Sequence, residues 1–254
     1  MLKAILFDLD DTLIDWSQAI MGWPDCTYSH LEKVFNSINK QIPSVELEDF
    51  FQVISRVREQ MWSDSSHTLK APQLAKLLST SLHILGLPPE FINEEQLLIA
   101  YDWQPVKGEL LFPDVHEALS VIQSYNLKTA VVTNSSEPMW MRDIELARFD
   151  LLKYFPHCRT ASADVGFLKP HPSIFEVTLS CLNVNANEAV FIGDNPGADI
   201  VGAQQLGIRA VLRLPKQNRI IAQQDIADGV IESLHELFPL LDGWYPNWRK
   251  VLVE

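Results

Sequence analysis

The chain is short of cations. Its 20 lysines and arginines stand against 33 aspartates and glutamates over 254 residues, a formal charge of −13. A general affinity for nucleic acid or an anionic membrane needs a basic surface, so neither is expected as a partner, and an anionic ligand has to be drawn by local positive charge. Cysteine is scarce: Cys26, Cys158 and Cys181 are odd in number and widely spaced, with no Cys-x-x-Cys for zinc or redox work. They read as reduced thiols. No uninterrupted apolar stretch is long enough to cross a bilayer. The N-terminal apolar run stops at Asp8, without the h-region and cleavage site of a signal peptide. A cytoplasmic location is therefore expected. Internal repeats and low-complexity segments are absent, and His157 and His171 lack a second His or Cys at ligand spacing, so both read as structural or exposed.

What the chain has is apolar content, 47% of its residues, ample for a buried core in one large domain or in a core with an insertion. The stretch Lys3-Ala4-Ile5-Leu6-Phe7-Asp8-Leu9-Asp10-Asp11-Thr12 is an apolar run that ends abruptly in carboxylates. Ala4 to Phe7 has the composition of a strand buried on both faces, as in parallel sheets, whose ligands bind beyond the carboxyl ends of the strands. Asp8 and Asp10 fall at that end. Two residues apart on extended chain, their carboxylates point the same way and repel unless a proton or a hard cation sits between them. An Asp-rich turn after the strand is the plainer alternative.

After Asp15 the pattern turns helical for about ninety residues, the size of a small inserted domain. Apolar stripes run through Leu31, Val34, Phe35 and Ile38, then Leu47, Phe50, Phe51, Ile54 and Met61, then Leu74, Leu77, Leu78, Leu82 and Leu85. Asn93 with Gln96 opens a fourth helix, and the four suggest an antiparallel bundle. From Pro113 onward helix and strand alternate. Strands are expected at Thr129 to Val132, Arg159 to Ala161, Ala189 to Ile192, Ala210 to Leu214 and Gly229 to Ile231, with helices between them, including a short one from Asp199 to Leu206. Met139, Trp140 and Met141 are expected in the core. Such alternation makes an α/β doubly wound parallel sheet. The expected division is a Rossmann-like core over residues 1–16 and 107–254, with an inserted α-helical cap domain over 17–106.

Several strand ends deliver polar groups: Asp8 and Asp10, Thr133 and Asn134, and Asp194, with Lys169 entering from a loop. With Asp8-Leu9-Asp10-Asp11-Thr12, the strand ending Thr133-Asn134, Lys169-Pro170-x-Pro172, and Gly193-Asp194 followed by Asp199, the chain resembles the haloacid dehalogenase-like hydrolases, specifically their magnesium-dependent phosphatases. The resemblance spans almost the whole core. It implies hydrolysis of a small phosphate monoester through an aspartyl phosphate. Asp8 would be nucleophile, Asp10 acid and base, Thr133 a phosphate ligand with help from Asn134, and Lys169 the charge anchor. Mg2+ would be held by Asp8, the Asp10 carbonyl and Asp194. Asp199 would support the metal from an outer shell or pair with Lys169. Relatives that cleave carbon–halogen or phosphonate bonds lack a carboxylate at the position of Asp10, so its presence favours phosphate esters.

Each motif has a plainer reading alone: Lys169 as a solvated lysine before a turn, Asp194 as a helix cap, Asp199 as a first-turn aspartate, and Asn134 as turn chemistry. A phosphomutase of the same family keeps the same carboxylates, and a catalytically idle ligand-binding member is the alternative from another class. Arg58 interrupts the second apolar stripe. It either pairs with a cap carboxylate such as Glu32 or Glu94, snorkels to water, or recognises an anionic leaving group. The expected partner is a small phosphorylated metabolite; oligomeric state is not legible.

Overall fold

In the computed structural model, which describes residues 1–19, 25–214 and 226–249, the N-terminal run forms the strand Ala4–Phe7 (β1), with no solvent exposure at any of its four side chains. Side chains alternate across a strand. Ile5 and Phe7 therefore enter one apolar cluster, and Ala4 and Leu6 another on the opposite face. The remaining elements follow in order: Ile14–Asp15 (β2), Asp25–Ile38 (α1), Leu47–Thr68 (α2), Leu74–Ile84 (α3), Glu94–Tyr101 (α4), Leu110–Leu111 (β3), Val115–Ser124 (α5), Lys128–Thr133 (β4), Met139–Arg148 (α6), Cys158–Ala161 (β5), Ser162–Val165 (α7), Pro172–Leu182 (α8), Ala189–Gly193 (β6), Gly202–Gln205 (α9), Arg209–Arg213 (β7), Gly229–Ile231 (β8) and Leu237–Trp244 (α10).

Six strands pair in parallel in the order β5-β4-β1-β6-β7-β8. The chain winds outward from β1 through β4 to β5, then returns to lie beside β1 as β6. That reversal sets the ligand crevice at the carboxyl end of β1. On one face α5 and α10 cover Ile5, Phe7, Val131, Val190 and Val211. On the other, α8 and α9 cover Leu6, Ala130, Phe191 and Leu212. The doubly wound α/β sheet is the fold that the alternation predicts.

Leaving the sheet, the chain forms β2, which pairs antiparallel with β3, the segment on which it returns. Between them α1 to α4 share a third apolar cluster, built on Leu31, Val34, Phe50, Ile54, Leu78 and Leu82. Asn93 caps α4 by accepting from the Gln96 N–H. Gly86, at φ +91, turns the chain out of α3 in a conformation that disfavours other residues. The segment between α2 and α3 ties this helical unit to the sheet. Leu168 N–H donates to Leu69 O at 2.8 Å, Ala71 N–H to Gly166 O at 2.9 Å, and Leu74 N–H to Ser136 O at 2.8 Å.

Two local readings change. Trp140 is half exposed, because α6 turns its buried face through Met139, Met141, Arg142, Glu145 and Leu146. The turn expected to start at Asp199 opens earlier, as a wide helical turn over Pro196–Val201. There the Asn195 side chain accepts from the Gly197 and Ala198 N–H groups, and proline occupies the first turn. His171 caps α8 from its ring nitrogen and stacks on Phe167. Of the thiols, Cys158 is buried and Cys181 exposed, while the Cys26 side chain lies outside the described residues. In the tail Trp248 packs against Tyr125 and Phe238, whereas Trp244 and Tyr245 stand against Arg209. No helix among the described residues is long and apolar enough to cross a membrane.

Candidate active site

The carboxyl ends of β1, β4 and β6 open on a cleft of about 190 Å³, lined by Asp8, Asp10, Thr133, Lys169, Asp194, Asp199 and their neighbours. Asp8, at the end of β1, is buried. Lys169 reaches it from the loop before α8, its Nζ donating to Asp8 Oδ1 at 2.6 Å and to Val132 O at 2.9 Å. The same ammonium lies 2.7 Å from Asp199 Oδ1. The loop is fixed in turn by Asn134, whose Oδ1 accepts from Lys169 N–H at 2.8 Å and whose Nδ2 donates to Lys169 O at 3.2 Å. The Lys169–Pro170 peptide is cis. Asn134 thus spends its side chain on the lysine loop. Asp199, expected in an outer shell or paired with Lys169, is fully buried and shares the lysine with Asp8. Gly193 makes room for it: a Cβ there would fall 2.3 Å from Asp199 Oδ2.

Asp8, Asp194 and Asp199 present carboxylate oxygens within 4.8 Å of one another. Burial pushes the Asp8 carboxyl well above its ordinary range; Lys169 opposes the shift, and Asp199 and Asp194 add to it. Burial, followed by the Asp199 and Asp11 charges, pushes Asp194 up to about 7. Lys169 is itself held above the ordinary lysine range, because the Asp199 and Asp8 charges outweigh its burial. One ammonium among three crowded carboxylates leaves a negative remainder. The donor set is all oxygen, which suits a hard cation of magnesium's kind over zinc.

Asp10 lines the same cleft with its two oxygens in different settings. Oδ1 accepts from Trp16 Nε1 at 2.9 Å and Arg142 Nη2 at 2.6 Å, while Oδ2 lies 3.4 Å from Thr133 Oγ1, a long contact. Arg142 is buried, also pairs with Glu145 at 2.6 Å, and was not singled out from the sequence. The sequence carries only its i, i+3 spacing to Glu145 on α6, which says nothing of Asp10. Arg58 lies elsewhere. With Trp62, Gln73, Ser136 and Glu137 it lines a nearly filled cleft of about 10 Å³ between α2, α3 and the chain just past Asn134. Glu94, one of its expected partners, is engaged by Lys76 and Ser79.

Residues 2–207 match the family model of the haloacid dehalogenase-like hydrolases. The chain belongs to that family. Among its relatives, the ribulose-1,5-bisphosphate 5-phosphatase of Halopiger xanaduensis is 27% identical over 249 residues, covering 95% of this chain and 100% of that protein. The glyceraldehyde 3-phosphate phosphatase of Methanocaldococcus jannaschii is 27% identical over 245 residues, 95% of this chain and 97% of that one. Among solved structures, a 2-haloacid dehalogenase from Pseudomonas syringae superposes with a TM-score of 0.65 at 26% identity, covering 96% and 100% of the two chains.

Proposed function

We propose that the chain is a magnesium-dependent phosphatase that hydrolyses a small phosphate monoester through a phosphorylated Asp8. The observation that carries the reading is the pair of carboxylates at the end of β1: Asp8 against the Lys169 ammonium, and Asp10 in the same cleft beside Thr133. A carbon–halogen hydrolase has no use for a second carboxylate there, because a departing halide needs no proton. A departing alkoxide does. The phosphatase relatives support the same choice.

In this reading an Asp8 oxygen attacks phosphorus, the ester P–O bond breaks, and Asp10 gives the leaving oxygen its proton. Water then attacks the phosphorus, Asp10 takes a proton from it, and the bond to Asp8 breaks, releasing inorganic phosphate and restoring the Asp8 carboxylate and the acid form of Asp10. Lys169 and Thr133 meet the equatorial oxygens with a charge and a hydroxyl, while Asn134 keeps Lys169 in place through its backbone. Asp8 and Asp194, with the Asp10 carbonyl, would hold Mg2+, and Asp199 would support them from behind through Lys169. The ion supplies charge neutralisation, so that an anionic nucleophile can approach an anionic ester. The helical segment 17–106 serves as the cap over the leaving group; Arg58 lies outside the cleft that holds Asp8 and would take part only with an anionic leaving group long enough to reach Ser136 and Glu137.

The test is a panel of phosphorylated small metabolites assayed for free phosphate, with magnesium and with excess chelator. Phosphate release that requires the metal is expected. Full activity in chelator, or no release from any ester, overturns the reading. Arg58→Lys run on the same panel should raise KM for esters with an anionic leaving group and spare neutral ones. Equal changes on both would return Arg58 to a structural role.

A further inference from the structure

We infer that Arg142 is the positioning residue of the acid and base, the group that aims Asp10 at the ester oxygen; the inference rests on the phosphatase reading above. A carboxylate on a short side chain turns readily about its last torsion, whose preference is broad. Proton transfer to a leaving oxygen needs one carboxylate oxygen held on the reacting side. Here Asp10 Oδ1 is fixed by two N–H donors from different parts of the chain, Trp16 just after β2 and Arg142 on α6, and Oδ2 is left on the side of Thr133 and the cleft.

Arg142 is built for this task in a way that a helix-surface ion pair is not. Its guanidinium is buried and stands 6.0 Å from the Trp103 ring. One nitrogen, Nη2, serves both Asp10 Oδ1 and Glu145 Oε2, each at 2.6 Å. Glu145 is fully buried and lies against Glu109, which is buried too and accepts from the Val106 N–H. Burial pushes the Glu145 carboxyl up to about 8, so of the two carboxyl groups at Nη2 it is Asp10 that takes the guanidinium's hydrogen bond and balances its charge. An arginine that served α6 alone would need no contact with the end of β1. The extra reach across to the end of β1 serves Asp10.

The consequence is selective by leaving group. An ester whose alcohol is a weak acid needs Asp10 in place as the bond breaks, whereas an acidic phenol departs with little help. Because kcat/KM covers only steps up to departure of the alcohol, it isolates that proton transfer from the later attack of water. Arg142→Met should lower kcat/KM on a simple alkyl phosphate by about tenfold or more, and on p-nitrophenyl phosphate by less than about threefold, with KM little changed on either. Arg142→Lys, which restores a donor and a charge, should recover part of the loss. If the single variant does not fold, Arg142→Met with Glu145→Leu removes both members of the buried pair and carries the same comparison. Parallel losses on the two esters in a protein with wild-type melting, or no loss on either, would overturn the assignment. A wild-type enzyme that releases phosphate from neither ester would instead fail the phosphatase reading on which it stands.

Discussion

Asp8 is the residue on which the chemistry converges, and its surroundings make one substitution unusually informative. Asparagine has the shape of aspartate and an oxygen that still accepts from Lys169, but its amide does not attack phosphorus. Asp8→Asn should therefore keep the fold and lower turnover by roughly three orders of magnitude or more. Steady-state phosphate release, with circular dichroism as the check on folding, decides it: retention of most of the wild-type rate rules out covalent catalysis through Asp8. At this scale the sequence was legible wherever a polar residue ended an apolar strand, because topology alone brings those ends together; Asp8, Asp10, Thr133 and Asp194 all meet at the cleft that way. Lys169 was legible only through its Pro-rich loop. Arg142 was not, because a charged residue inside a helical stripe looks the same in one dimension whether its partner is solvent or a carboxylate 132 positions away. For the same reason Asn134 pointed at phosphate by its position, while its side chain is committed to the Lys169 backbone.

Between elements, the tie that stands out is Asp114, the residue before α5. Its carboxylate accepts from Arg213 at the end of β7, from the Ser233 hydroxyl and from the Leu234 N–H at 2.6 Å, binding one helix start to two strand ends. Burial alone would raise its carboxyl, but the Arg213 charge and these hydrogen bonds outweigh burial and hold it below the usual carboxylate range. A depressed folded value means the contribution is fully present above the unfolded value of about 4 and is lost as pH falls through the folded one. Asp114→Asn would leave Arg213, almost fully buried, without its counter-charge. Removing one partner of a buried pair costs about 3–5 kcal/mol, so thermal melting near neutral pH should fall by roughly 10 °C. The gap between variant and wild type should narrow as both are taken to low pH. A gap that is the same at every pH would mean the ion pair does not carry the effect. Element by element, the strands of the parallel sheet and the helices α1 to α4 were legible from periodicity, which reports burial directly, whereas the two-residue strands β2 and β3 were too short to show it. The turn after β6 was not, since its start is set by the Asn195 side chain and Pro196, not by apolar spacing.

On the scale of the whole molecule, the charge of −13 and the buried carboxylates of the cleft act in the same direction, against the folded metal-free state. Any cation relieves the first by screening. Only one that enters the cleft relieves the second, and the two effects separate cleanly. A ligand that binds only the folded chain stabilises it by mass action, about 2.7 kcal/mol at a hundred times its dissociation constant. Millimolar magnesium should thus raise the melting temperature by several degrees above a sodium chloride control of equal ionic strength. Asp194→Asn should lose that increment while keeping the response to sodium chloride. It should also melt no lower than the wild type in chelator, because it removes one of the three crowded carboxylates without leaving Lys169 unpaired. Scanning calorimetry of the two proteins under the three conditions measures all of this without reference to turnover. A magnesium increment no larger than the salt control, or one that survives in Asp194→Asn, would remove the cation from this cleft.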